Sequence, residues 1–448
     1  MKSKTNDRPI FTKEMRKTHT ILIPCMLPMH FKILANILTA SGYKVEILDN
    51  SGKEVTDAGL RYVHNDACYP ALLVIGQFIT ALESGKYDPH RVALMISQTG
   101  GGCRASNYIA LLRKALERAG YGYIPVVSFS VVGLESNPGF KITLSLLHRM
   151  MYSVTYGDLL MCLLNQCRPY EINKGQSQAL ADKWTQEISD RMMSGRIKYR
   201  EIKENYAKIV RSFAEIPLRH TTEKVKVGIV GEIFVKFSPL GNNKLEEFLL
   251  SEGAEVVMPG LYDFLLYCVY NGILDAELSG MARMKAWLSG FAYRFLIKKQ
   301  DDVINAVLEE GTFTPPGSFE HTRTLPEGYM GMGAKMGEGW LLTAEMLELI
   351  EEGVNNIVCT QPFGCLPNHI VGKGVMKHLR EAKPGVNIVA IDYDPGATKI
   401  NQENRIKLML ANAVMTEERL RCPASPIREN EKVGSAKDSR ETFAPMKI

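Results

Sequence analysis

No hydrophobic run in this 448-residue chain is long. The longest apolar stretch, Ala71 to Leu82, covers 12 residues and is interrupted by Gly76 and Gln77, whereas a membrane-spanning helix needs about 20. Excess charge of one sign is also missing. Lys and Arg number 54 against 49 Asp and Glu, a net charge of +5, and no aromatics are interleaved with basic runs. That leaves no electrostatic case for nucleic-acid binding. Met1 to His19 is polar and basic without the apolar centre of a secretory signal. The chain carries no GxxxxGK[ST] phosphate loop, so ATP hydrolysis by this chain alone is not expected. No run of cysteines has a ferredoxin or zinc-finger spacing. These absences lead to the expectation of a cytoplasmic protein with no membrane and no nucleic-acid partner.

What is present is ordinary globular material: 45% hydrophobic and 23% charged residues, enough for more than one core. Strand-like and helix-like segments alternate over residues 18–140. Thr20-Ile-Leu-Ile-Pro24, Lys44-Val-Glu-Ile-Leu48, Val92 to Ser97 and Ile124 to Phe129 are separated by helical patterns over 29–40, 70–83 and 105–119. That alternation predicts βαβ units around a parallel sheet. A charged helical region, 141–220, lacks strand runs and reads as a linker or side domain. A second α/β pattern fills 221–412. Its strands are Lys224 to Val230, Glu255 to Met258, Asn356 to Cys359 and Asn387 to Ile391, and a helical insert covers 262–310. A last helix is expected over 397–412, then a loose polar tail over 413–448. The fold class is therefore α/β: two Rossmann-like parallel-sheet domains with a helical linker and a helical insert. The two halves look alike, with no residue-level repeat.

Nine cysteines remain to be explained. In a cytosolic chain they are not a disulfide framework, which leaves metal or cluster ligands, redox thiols or apolar fillers. Three sites share a context. Asn65-Asp-Ala-Cys68-Tyr-Pro70 precedes an apolar helical run. Gly100-Gly-Gly-Cys103-Arg-Ala-Ser-Asn107 follows the strand ending at Ser97 and opens a helix. Cys359-Thr-Gln-Pro-Phe-Gly-Cys365-Leu-Pro-Asn-His369 follows the strand over 356–358 and precedes another helix. Ligand sites of open α/β sheets gather at strand carboxyl ends. Helix N-termini favour thiolate over thiol and can donate to the sulfides of an anionic cluster. Any metal site must be assembled from distant segments; an iron–sulfur cluster, zinc, redox thiols and fillers all stay open. Cys268, in the apolar helix over 261–270, is filler or ligand. Cys25, Cys162, Cys167 and Cys422 read as fillers. The Gly331-Met-Gly333-Ala-Lys-Met-Gly337-Glu-Gly339 loop reads as flexible or as a cradle for the pyrophosphate of CoA. His64 and His369 flank cysteine sites as proton donors or as capping and surface residues. Asp392-Tyr-Asp394-Pro-Gly-Ala-Thr398 reads as strand end, turn and N-cap.

Together Asn65-Asp-Ala-Cys-Tyr-Pro70, Gln98-Thr-Gly-Gly-Gly-Cys-Arg-Ala-Ser-Asn-Tyr108, Val230-Gly-Glu-Ile233, Gln361-Pro-Phe-Gly-Cys-Leu-Pro-Asn-His369, Asp392-Tyr-Asp-Pro-Gly396 and Asn401-Gln-Glu-Asn-Arg405 resemble the C-terminal section of acyl-CoA dehydratase activase-like proteins. That section is similar to 2-hydroxyacyl-CoA dehydratase subunits and double-cubane cluster proteins. The resemblance covers about 20–412. It implies cysteines from separate loops holding an iron–sulfur cluster, [4Fe-4S] or an [8Fe-9S] double cubane. It also implies an ATP-hydrolysing activase that injects low-potential electrons, for passage to an acyl-CoA or small-molecule substrate. The carry-over is to Cys68, Cys103, Cys359 and Cys365, with Cys268 as a further ligand, and the chain is expected to dimerise. Rival readings are a non-catalytic electron-transfer or scaffold subunit, and a cluster-free CoA-binding protein.

Overall fold

A computed structural model describes residues 8–64, 66–97, 102–129, 135, 137–193, 198–219, 223–280 and 283–421, the last six by backbone alone. Two four-stranded sheets carry the fold, and all pairings in both are parallel. The first holds β1 (Thr20–Pro24), β2 (Lys44–Leu48), β3 (Val92–Ser97) and β4 (Val126–Phe129) in the order β2-β1-β3-β4. The second holds β5 (Lys226–Gly231), β6 (Glu255–Val257), β7 (Asn356–Pro362) and β8 (Asn387–Tyr393) in the order β6-β5-β7-β8. The two orders are the same, although no residue repeat announces it. Each sheet therefore reverses direction between its first and third strands, where a crevice opens at the carboxyl ends.

The apolar runs explain the strands. β3 is buried along Val92 to Ile96 and β7 along Ile357 to Pro362, as expected for parallel strands covered on both faces. Helix Tyr69–Glu83 is buried at nearly every position. It crosses helix Lys53–Tyr62, which the sequence pattern did not single out, with backbones in contact. A Cβ on Gly76 would stand 2.0 Å from the Val55 carbonyl oxygen, and one on Gly59 would stand 2.3 Å from that of Leu72. Two small residues at the crossing let the helices approach this closely.

The described residues of 141–220 form three helices, Leu144–Cys167, Gln176–Met193 and Tyr199–Ala214, and those of the insert form two, Leu261–Ser279 and Arg283–Glu310. They are not separate side elements. Tyr152, Tyr156, Tyr206, Tyr262, Tyr293 and Val303 belong to one apolar cluster that also takes in Ile33 and Ile37 of helix Pro28–Ala40. Asp158 ties it together: its carboxylate is 2.8 Å from His30 Nε2 and accepts from the backbone N–H groups of Leu261 (3.0 Å) and Tyr262 (2.7 Å). A second cluster draws on both α/β halves, Leu94 and Tyr69 packing with Val358 and Tyr393. Two expectations are corrected. The last helix runs Lys399–Arg421 rather than stopping at 412. The strand expected to end at Val358 or Cys359 continues to Pro362, which puts Cys359 inside β7 rather than at the start of a loop. Among the described residues, no helix is long and apolar enough to cross a membrane.

Candidate functional site

Four of the five singled-out cysteines lie on the connections that meet where the two crevices face each other. Each half contributes two. Cys68 is on the connection from β2 to β3, and Cys103 follows β3. Cys268 is on the connection from β6 to β7, and Cys365 follows β7. Cys68 is the N-cap residue of helix Tyr69–Glu83, with Pro70 in the first turn. Cys103 is the N-cap residue of a short 3-10 turn, Arg104–Asn107, which leads into helix Tyr108–Arg118. Cys365 precedes a π-helical turn, Asn368–Lys373, a distortion concentrated at functional sites. Cys268 rides on helix Leu261–Ser279, whose start Asp158 holds.

Direct contacts join the halves here. Tyr69 N–H donates to the Phe363 carbonyl at 3.0 Å. Gly364, at φ 72°, lies so close that a Cβ on it would be 3.2 Å from Cys68 Cα. On the other side the Gly331–Gly339 loop closes in. Gly102 N–H is 3.0 Å from Met336 Sδ. A Cβ on Gly337 (φ 60°) would be 3.0 Å from Pro367 Cγ and 3.9 Å from Cys103 Cβ. The loop expected to be flexible or to cradle a phosphate therefore forms one wall of the cysteine site.

Two buried carboxylates sit behind the thiols. Glu232, just past β5, accepts from Val235 N–H at 2.8 Å, and Glu338 accepts from Ile233 N–H at 3.0 Å. Burial and their mutual repulsion push Glu232 far above the usual carboxylate range, and burial raises Glu338. Glu338 is acted on by Glu345 and Lys236, and those two form their own buried ion pair at 2.9 Å. In the sequence, Glu232 stood in the Val230-Gly-Glu-Ile233 string and Glu338 in the Gly331–Gly339 loop, with nothing to say that the two meet.

Burial also governs the thiols. It drives Cys68 up to about 11 and Cys268 to about 12, and it raises Cys103 and Cys365. The hydrogen bonds at the helix starts, from Ala71 to Cys68 and from Ala105 and Ser106 to Cys103, lower the values as expected. They are outweighed. The expectation that these positions favour thiolate is corrected for the metal-free protein, because desolvation of a buried anion exceeds the worth of one or two backbone donors. Cys268 keeps an accessible surface.

Glu232 or Glu338 acts electrostatically on each of Cys68, Cys103, Cys268 and Cys365. Cys359 answers to other groups, Glu345, Asp392 and Lys373. It is fully buried among Val230, Met346 and Leu379. Its sulfur and the Asn368 side-chain oxygen each lie 3.4 Å from where a Cβ of Gly372 would be. Asn368 in turn donates to Cys365 Sγ at 3.4 Å. Cys359 is thus placed in the layer behind Cys365, because a residue inside a covered strand points into the sheet–helix interface rather than past the strand's end.

Among the remaining singled-out residues, Cys167 is core and Cys162 bonds to Gln166 at 3.3 Å, so both serve as packing. Cys25 lies just beyond β1, next to Asp49, and is raised to about 11 mainly by burial. His64 is exposed and 3.4 Å from Asp66. His369 Nδ1 is 2.7 Å from the Cys365 carbonyl oxygen, a capping contact. Asp394 accepts from Gly396 N–H at 2.7 Å, closing the expected turn. Asn65, Gln98 to Gly101 and Cys422 lie outside the described residues.

The donor set is sulfur with nearby carboxylate. Among the described residues, no three Cys, His, Asp or Glu side chains already form a single-ion site. Such a site needs sulfurs about 4 Å apart around one zinc, whereas cluster ligands are separated by the irons and sulfides between them. The buried, unpartnered Tyr267 hydroxyl and Asn368 Oδ1 add polar groups to the walls. Thiols from four separate elements with polar atoms left to bond fit a polynuclear cluster. In comparisons with known proteins, no family model and no curated protein matches the chain.

Proposed function

We propose that this chain is the iron–sulfur reductase component of a 2-hydroxyacyl-CoA dehydratase-type system. It takes low-potential electrons from an ATP-hydrolysing activase and passes them to an acyl-CoA or small-molecule substrate. The observation that carries the reading is the gathering of Cys68, Cys103, Cys268 and Cys365, two from each half, onto the connections between strands at the facing sheet crevices. These four residues would hold the cluster, either [4Fe-4S] or an [8Fe-9S] double cubane, with Cys359 behind Cys365 as a reserve ligand. The bound group supplies one-electron transfer at low potential, tuned by burial and hydrogen bonds.

The chain's own residues do the rest. The four thiols release protons as they become ligands. Glu232 and Glu338 hold a proton beside them, because burial and the charge of Glu338 raise Glu232 far above the usual carboxylate range. The loop around Met336 and Gly337 closes the wall and limits water. Phe363, Leu366, Ile370 and Met336 are exposed apolar side chains around the Cys365 and Cys103 loops, and they suit docking of the activase at the shortest path to the thiols. Self-association has a separate surface: Met284, Trp287, Leu288 and Phe291 form an exposed apolar stripe on helix Arg283–Glu310, the kind that marks an interface.

The test is anaerobic purification with iron and sulfide counted per chain, then turnover with activase and ATP. Four or more irons, activity only with ATP, and loss of both in Cys103→Ala are expected. Iron-free protein, or full activity without ATP, refutes the reading and favours the cluster-free CoA-binding alternative. Iron without turnover on any acyl-CoA favours an electron-transfer subunit.

A further inference from the structure

We infer that the cavity walled by Asp263, Glu348 and Asn165 is a binding site for a small primary alkylammonium ion, its ammonium on the two carboxylates and its alkyl part on the apolar walls. None of Cys68, Cys103, Cys268 and Cys365 lines this cavity. The inference goes beyond the proposed function and does not rest on it.

The cavity encloses about 150 Å3 between helices Leu144–Cys167, Leu261–Ser279, Arg283–Glu310 and Leu341–Glu351 and the loop over 314–317. A space of this size takes a ligand as large as benzene. Asp263 and Glu348 line it, each 7% exposed. One Asp263 oxygen accepts from the Gln300 amide at 2.7 Å, and Gln300 is itself fixed by accepting from Phe319 N–H at 3.0 Å. One Glu348 oxygen accepts from the Thr322 hydroxyl. Gly317 makes room for it, since a Cβ there would stand 2.0 Å from that oxygen. Among the described residues, the second oxygen of each carboxylate has no hydrogen-bond partner. Asp158, a third carboxylate on the wall, is already taken up by His30 and by the Leu261 and Tyr262 N–H groups. The independent sign of a ligand is Asn165. Its side chain is 6% exposed and lines the cavity, yet among the described residues its amide bonds to nothing, whereas buried amides are normally paired. A primary ammonium has three donors, one for each free carboxylate oxygen and one for the Asn165 oxygen. Met161, Val257, Val303 and Leu349 supply apolar wall for an alkyl chain. A metal ion fits less well: among the described residues, no three Cys, His, Asp or Glu side chains are grouped to hold one. The approach also favours a cation. The cavity shares Gln166, Lys226, Glu255 and Glu352 with a wider groove of about 960 Å3, whose charged groups are Glu223, Glu255 and Glu352 against Lys224 and Lys226. Burial raises both carboxyls. Asp158 and Glu345 add to the rise at Asp263, against Lys236, while Asp263, Glu352 and Glu345 add to it at Glu348. The empty site therefore holds protons at neutral pH, and an entering ammonium displaces one.

The test is isothermal titration calorimetry of the full chain with n-butylammonium chloride, in phosphate and in MOPS, so that proton release is read from the difference in heat. Binding should release about one proton per chain, and affinity should be about tenfold higher at pH 7 than at pH 6, because a proton competes for the site. Asn165→Ala should weaken binding about tenfold, the worth of one hydrogen bond to a charged group. Glu348→Gln should abolish both binding and proton release. Asp263→Asn, which keeps the side-chain shape and the acceptor for Gln300, should do the same and gives a second reading where Glu348→Gln fails to fold; far-ultraviolet spectra check folding of each variant. The controls are n-butanol, which has the chain without the charge, and potassium and magnesium chloride, which have the charge without the chain; none should bind. Wild-type protein that does not bind n-butylammonium, n-butanol that binds equally well, or binding unchanged in Asn165→Ala and in the folded carboxyl variants overturns the inference whatever the iron content. Potassium or magnesium binding in place of n-butylammonium makes this an inorganic cation site and overturns it too.

Discussion

Gly76→Ala tests whether backbone contact between two helices places Cys68. Alanine is the better helix former by roughly 1 kcal/mol, so propensity alone predicts a more stable protein. The crossing predicts the reverse. A Cβ at Gly76 would stand 2.0 Å from the Val55 carbonyl oxygen and 3.0 Å from Gly59 N, where carbon contacts normally lie at about 3.5–4.0 Å. Both obstacles are backbone, so no rotamer change relieves the clash, and the two helices must separate by more than an ångström. Overpacking of this kind costs typically 1–3 kcal/mol, and a backbone obstacle puts the cost at the upper end. Net of propensity, about 2 kcal/mol of destabilisation is expected. Urea unfolding with the slope checked against wild type measures it. Cys68 caps the displaced helix, so its contacts with Tyr108 and Gly364 loosen and iron retention falls in parallel. Gly290→Ala is the internal comparison. It too is a helix-interior glycine, but a Cβ there would meet only the Arg294 guanidinium, at 3.7 Å, and a gain of up to about 1 kcal/mol is expected. If Gly76→Ala matched or exceeded wild-type stability, the crossing would not depend on the close approach and the argument would fail.

Other predictions follow from the same geometry. Lys236→Met strands Glu345, its buried partner at 2.9 Å, and should cost about 3–5 kcal/mol in urea unfolding; a loss under about 1 would show that water reaches the pair. Glu232 is raised by burial and by Glu338, so the folded protein holds a proton that the unfolded chain has lost. Stability should therefore fall as pH rises from about 4.3, the ordinary carboxylate value, through neutrality. Glu232→Gln should flatten that slope in unfolding curves at pH 5, 6 and 7; an unaltered slope would place the proton elsewhere. Trp287→Glu should convert a dimer to monomer in sedimentation without altering the far-ultraviolet spectrum, and a dimer that survives would move the interface off this stripe.

The sequence by itself determined the local elements and the fold class. Strands β1, β3, β5 and β7 were legible because parallel strands covered on both faces are unbroken apolar runs, and their alternation with helices implied two parallel sheets. The helix-start contexts of Cys68 and Cys103 were equally local, carried by Pro70 and by the glycines before Cys103. Tertiary structure decided the rest. Strand order within each sheet depends on which runs pair, and periodicity carries no pairing information. Cys359 read as the end of a short strand opening a loop, but pairing with β8 as far as Tyr393 extends β7 past it and turns its sulfur into the core. The helix over Lys53–Tyr62 was obscured by mean polarity and became recognisable only against the apolar partner it covers. Cys268 could not be weighed because its meaning depends on Asp158, more than a hundred residues earlier, holding the start of its helix. Glu338, Tyr108 and Asn368 stood inside strings the sequence singled out, but which residues they meet was decided by distance alone. Hydrogen bonds and charge repulsion act over a few ångströms of space, and a linear chain does not record which distant residues come within that range.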